Sequence, residues 1–281
     1  MSRFLIRPRN QLQPQRQSRR SSGMRLGSFA VLLVVAPALS QAEPTEDWSA
    51  RAAAAESAEN AREALRCYLA ADAAAPGNPV ILQKIARQYS DLADDQPTNP
   101  EKRAYAQHAL DYSERAVTLA PDNAVNVLSL AISHGKLAIW SDLRAKVSYS
   151  RLVKAEAERA VALDPHYAWA YHVLGCWNYE VAQLGSTARL WLRLFYGGLP
   201  DASAAQGVRD LQRSVELDPG ELAHRVALGF AYLAAGQEAA ARTEFTASLA
   251  MRSHAKFDRE AQERARSALA RLGGAPAGGR S

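Results

Sequence analysis

The sequence predicts an all-α fold, a TPR-like (tetratricopeptide) solenoid of helical hairpins wound as a right-handed superhelix, and three observations carry that prediction. First, aromatic residues make up only 7% of the 281 residues, alanine, leucine and arginine dominate, and no long stretch alternates apolar with polar side chains, which excludes an all-β domain. Second, a helical segment ending in proline recurs. Residues 71–76, 115–121, 159–165 and 213–219 close on Pro76, Pro121, Pro165 and Pro219, which lie 45, 44 and 54 residues apart. Proline cannot continue the helical hydrogen-bond ladder, so each one marks the end of an amphipathic helix in a repeating hairpin. Third, Leu228, Gly229, Tyr232, Gly236, Ala241, Phe245 and Ser248 follow Pro219 at TPR spacing. Gly229 and Ala241 are small where two helices of a hairpin press together, Gly236 opens the turn, and Tyr232 and Phe245 fill the space toward neighbouring helices. Earlier repeats carry weaker versions, with Val127, Leu130 and Ala131 after Pro121, and Tyr171, Leu174 and Gly175 after Pro165.

Taken in chain order, residues 1–42 contain seven arginines and no Asp or Glu, and end in an apolar stretch over 27–39 followed by Ser40, Gln41 and Ala42. That arrangement predicts an export signal cleaved after about Ala42, with Met24 as an alternative start and a retained inner-membrane anchor as the alternative fate. The apolar stretch is short of the ~20 residues that span a bilayer, and no other segment reaches that length. The mature chain is therefore expected to be exported, periplasmic and without a transmembrane span. Residues 43–281 carry 27 basic against 29 acidic groups, so the basic balance of the whole chain belongs to the leader and gives no reason to expect nucleic acid as a partner. A mobile linker is expected over 43–50 and a single domain over 51–272. Within it the expected elements are a lone leading helix over 57–75, then helix pairs 79–94 with 101–120, 123–140 with 147–164, 167–184 with 202–218, and 221–235 with 238–252. Long inserted loops fall at 95–101 and 184–202, a C-terminal capping helix at 257–272, and a disordered tail at 273–281. Cys67 and Cys176 fall in non-adjacent repeats and read as separate buried thiols.

No nucleophile elbow, phosphate loop, dinucleotide fingerprint or HExxH zinc helix occurs, so a non-enzymatic scaffold without cofactors is the expectation. His172, Cys176 and Glu180, at i, i+4 and i+8, place a nitrogen, a thiol and a carboxylate on one helix face. Half a metal site, a polar groove wall and local packing all fit that spacing. Residues 189–196, Arg-Leu-Trp-Leu-Arg-Leu-Phe-Tyr, are the most apolar-aromatic run outside the leader, and read either as an interfacial lipid contact or as a buried connecting helix.

Three longer strings, His134 to Ala138, Tyr171 to Ala182 and Leu194 to Pro200, together with the long loops, resemble the regulator of microtubule dynamics family over about residues 100–250. The resemblance implies an atypical TPR domain. In animals it implies association with microtubules or organelle contact sites, and in one member similarity to a phospholipid-binding module. By TPR analogy the first helix of each hairpin lines a concave groove, formed here by Gln83, Arg87 and Asp91, then Leu128, Ile132 and Lys136, then His172, Cys176 and Glu180, and finally Val226 and Phe230. Such a groove predicts a protein or peptide partner, with lipid as the alternative and microtubules as a further one by family analogy.

Overall fold

Asparagine, threonine, aspartate and serine recur one position ahead of runs of helix-forming residues, where a side-chain oxygen can accept from the unpaired amides of a first helical turn. In the computed structural model, which describes residues 47–253 and 257–274, these residues do so repeatedly. Asn60, Asn78, Asn123, Asp142 and Ser203 each accept a first-turn amide, and Thr98 with Glu101 forms a full capping box. Twelve helices result among the described residues and no strand: α1 (Trp48–Ser57), α2 (Ala61–Ala74), α3 (Pro79–Ala93), α4 (Asn99–Leu119), α5 (Ala124–Ile139), α6 (Leu143–Leu163), α7 (Ala168–Ala182), α8 (Ser186–Tyr196), α9 (Ala204–Leu217), α10 (Leu222–Ala234), α11 (Glu238–Ala250) and α12 (Asp258–Gly274). The export signal read at 1–42 lies outside the described residues, as do 43–46 of the linker and 275–281 of the tail.

Four hairpins match expectation, α3 with α4, α5 with α6, α7 with α9 and α10 with α11, and α12 caps the last against α10 and α11. Two expectations are corrected. The lone leading helix and the linker up to residue 50 are replaced by a further hairpin of α1 and α2, because Glu59 turns the chain at φ 56 and Asn60 caps a new helix. The inserted loop at 184–202 contains a helix of its own, α8, and that helix is not a buried connector: Leu192 is its one buried residue.

Successive first helices touch one another, α3 with α5, α5 with α7, α7 with α10 and α10 with α12, so they form one layer while α4, α6, α9 and α11 form the other. The core lies between the layers and between neighbouring hairpins, as a repeat array requires, since one hairpin has nothing else to bury its apolar faces against. Small residues set the closest approaches. A Cβ on Gly229 would stand 2.5 Å from the ring of Phe245, which is fully buried, and one on Gly207 would stand 2.9 Å from the carbonyl oxygen of Gly175. Gly236, expected to open the α10–α11 turn, has φ 73.

Candidate functional site

The inner faces of α3, α5, α7, α10 and α12 look onto a common space. Lys136 Nζ of α5 lies 5.8 Å from the Phe257 ring at the entry to α12, and the Arg264 guanidinium of α12 sits 4.8 Å over the Phe230 ring of α10. The charge of Arg87 on α3 is felt at Tyr167, just before α7, and at Glu221, which caps α10.

At the N-terminal end, Gln83 is half-buried and Arg87 exposed, its Nε 3.9 Å from Asp91 Oδ2. On α5, Ile132 stays 39% exposed while Lys136 donates to Asp94 at 2.6 Å. Leu128 departs from the expected groove wall. It is a core residue, 1% exposed, because α5 is apolar over most of its circumference and turns that position between α6 and α7. Cys176 and Val226 likewise belong to core clusters, Cys176 against Val208 and Leu211, Val226 against Phe245 and Ala265.

His172 is buried as well, with partners that the helical spacing did not reveal, while Glu180 and Phe230 are partly buried. His172 Nδ1 and His224 Nδ1 are 3.0 Å apart, one donating and the other accepting, and the Trp169 ring packs 4.8 Å from His172 and 4.7 Å from His224. Burial holds the imidazole of His172 well below its ordinary pKa and that of His224 down to about 4, so both rings are neutral at neutral pH. Burial pushes the Glu180 carboxyl up to about 7, against the opposing pull of the Arg264 guanidinium, and raises the Cys176 thiol. A thiol held protonated is a poor nucleophile and a poor metal ligand. Among the described residues no cluster of three His, Cys, Asp or Glu is placed to hold a metal ion. Two polar atoms in this wall are buried without a partner, Glu180 Oε1 and His224 Nε2.

The profile described as "Regulator of microtubule dynamics protein 1-3" matches residues 49–273, which is the whole helical array. The chain belongs to the regulator of microtubule dynamics family. It is 29% identical over 162 residues to regulator of microtubule dynamics protein 3 of Xenopus laevis, covering 57% of this chain and 35% of that one. To protein 1 of Mus musculus it is 23% identical over 194 residues, covering 68% and 64%. The chain thus spans about a third of the length of the frog relative. A thermophilic TPR protein of Thermus thermophilus superposes with a TM-score of 0.57 at 18% identity, over 78% of this chain and 95% of its own, which places the fold among TPR arrays.

The inner layer of the array is a helical scaffold surface. Among the described residues no helix is long and apolar enough to cross a membrane. Its N-terminal hairpin adds a polar node absent from the sequence reading. Glu56 of α1 accepts from Tyr68 of α2 at 2.8 Å and from Lys84 and Gln88 of α3 at 2.7 and 2.6 Å, locking three helices through one carboxylate. His224 had one available signal, a basic side chain in an otherwise largely apolar helix. Arg264 had none, because the register of α12 is set by long-range contacts, the packing of Ala265 and Ala268 with Val226 and Phe245 and the hydrogen bonds from Gln262 to the Ser248 and Met251 carbonyls.

Proposed function

We propose that this protein is a non-enzymatic scaffold whose concave face captures an extended or helical segment of another protein, and that it does so in the cell envelope after export. The observation that carries the reading is the uncovered inner face itself, where Ile132 is 39% exposed, Arg87 is exposed and the Phe230 ring is partly buried under the Arg264 guanidinium. A segment laid along that face buries its apolar side chains against Ile132 and Phe230, and the partly buried Glu180 stands in the same helix layer to meet its polar groups. Arg87 sets the orientation of such a segment at the other end.

A photo-crosslinking amino acid at position 132, introduced in the producing cells, tests the groove. Adducts that map to a single protein segment are expected, and they should disappear when Glu180→Gln and Arg87→Glu are combined. Adducts to lipid alone, or adducts indifferent to those changes, overturn it. N-terminal sequencing after cell fractionation tests export: a start near Glu43 in the periplasmic fraction is expected, and a start at Met1 or Met24 in the cytoplasmic fraction removes the envelope from the proposal.

A further inference from the structure

Helix α8 turns its apolar face outward. Leu190, Trp191, Leu194 and Phe195 are 58%, 46%, 68% and 64% exposed, while Leu192, on the opposite side, is buried. Trp191 stacks its ring 5.1 Å from Phe195 and 5.3 Å from Tyr196, so the face carries a contiguous aromatic patch. A helix that merely filled the connection between α7 and α9 would lay those side chains on the body, which is how every other amphipathic helix of the array behaves.

The outward orientation is held from both ends. Arg189 donates to the carbonyls of Val181, Ala182 and Leu184 at the C-terminal end of α7, between 3.0 and 3.1 Å. Arg151 of α6 donates to the carbonyls of Tyr196 and Gly198, the latter at 2.6 and 2.9 Å, and Gly197 closes the helix with φ 74. The helix is thus fixed to the body while its oily side faces away from it.

Basic side chains are carried by α8 and the start of α6. Residues 181–200 contain Arg189 and Arg193, and residues 143–154 of α6, the helix to which α8 is tied, contain Arg144, Lys146, Arg151 and Lys154, of which Lys154 is paired with Glu158; Asp142, Glu180 and Asp201 adjoin these stretches. On the helical wheel Arg193 borders the apolar face next to Leu190. An exposed Trp and Phe bordered by Arg193, on a helix tied to the basic start of α6, match an anionic lipid surface, where aromatic and leucine side chains enter the headgroup boundary and Arg and Lys meet phosphates. A second copy of this chain would bring the same arginines against them, which disfavours self-docking.

We propose that α8, with the basic half of α6, is a membrane-surface docking element that seats the array on an anionic lipid leaflet. It is independent of the groove. Each signal alone is weak, a short helix and a basic patch, and two together give stable attachment.

The test is flotation of the full chain with phosphatidylcholine vesicles, pure or containing about a third phosphatidylglycerol, with tryptophan quenching by brominated acyl chains as the second readout. The anionic vesicles are expected to bind at least about tenfold more protein than the neutral ones, less so at high salt. Leu194→Glu with Phe195→Glu, and separately Arg144→Glu with Lys146→Glu, should each lower binding about tenfold or more with circular dichroism unchanged. Residues 1–42 contain no tryptophan, so quenching reports the folded body, and Trp191→Phe should abolish most of it while binding persists. Binding unaffected by either double variant, quenching retained in Trp191→Phe, or a wild-type dimer that the Leu194→Glu/Phe195→Glu variant dissociates, each overturns the proposal.

Discussion

Gly207→Ala probes a close main-chain approach of α9 to α7. The added methyl would stand 2.9 Å from the Gly175 carbonyl oxygen, from Tyr179 Cβ and from the Tyr179 amide nitrogen, on the neighbouring helix α7. Comfortable separation for such atoms is about 3.5 Å or more, so α7 and α9 must part by roughly half an ångström along a contact where two of the three atoms are main chain and no rotamer change can yield. Overpacking of this kind destabilises by about 1–3 kcal/mol, and alanine returns up to about 1 kcal/mol over glycine through helix propensity. The balance is a net loss of about 1–2 kcal/mol, read as a fall of roughly 2–8 °C in melting temperature for a domain of this size. Gly135→Ala is the matched control. It lies inside α5, where the new Cβ meets Val153 Cγ2 at 3.8 Å, an ordinary contact, so the propensity gain stands alone and the melting temperature should rise by a few degrees. Thermal unfolding by circular dichroism decides. If Gly207→Ala stabilises as Gly135→Ala does, the account of glycine as the spacer of the α7–α9 hairpin is wrong.

Arg151→Ala should free the C-terminal end of α8, so hydrogen exchange monitored by mass spectrometry should accelerate in peptides covering 190–200 and stay unchanged in α3 to α5; uniform exchange would show that Arg151 does not hold the helix. The pH dependence carries two opposed contributions. Glu180 titrates at about 7 folded against an ordinary 4.5, so the folded state holds the extra proton and stability falls as pH rises between those values, whereas His224, about 4 folded against 6.5, makes stability rise with pH between them. Glu180→Gln should therefore give a melting-temperature profile that climbs more steeply than wild type from pH 4.5 to 6.5, and a parallel profile would deny the carboxyl its raised pKa. Cys67 and Cys176 are free and buried, with burial raising both thiols; a thiol reagent should label neither in the folded protein and both after denaturation, and rapid labelling of Cys176 in the native state would contradict its place in the core.

The repeat architecture was legible because it is written locally. A cap, an apolar stripe and a terminating proline each act within a few residues, so the hairpins from Pro79 to Ala250 fall where the spacing puts them. The first hairpin was not legible for the same reason. Nothing at Ala58 or Glu59 resembles a terminator, the cap at Asn60 alone marks the break, and the hairpin is tied to α3 through Glu56, whose partners Lys84 and Gln88 lie 28 and 32 residues downstream. The depth of the candidate groove residues was not legible. Spacing put the partly buried Glu180 and Phe230 on one face with Leu128, His172, Cys176 and Val226, which are buried, since helical periodicity names a face without saying how deeply the neighbouring helices cover it.

By itself, the amino-acid order determined that this chain makes stacked two-helix units with small residues at their crossings, because helix formation, capping and proline termination depend on near neighbours. The long-range contacts decided the rest. Whether His172 meets His224, 52 residues away, whether Arg264 reaches Phe230, and whether the apolar side of α8 is hidden or shown are settled by the register of helix against helix, a balance of burial and sterics summed over the array that no local pattern encodes.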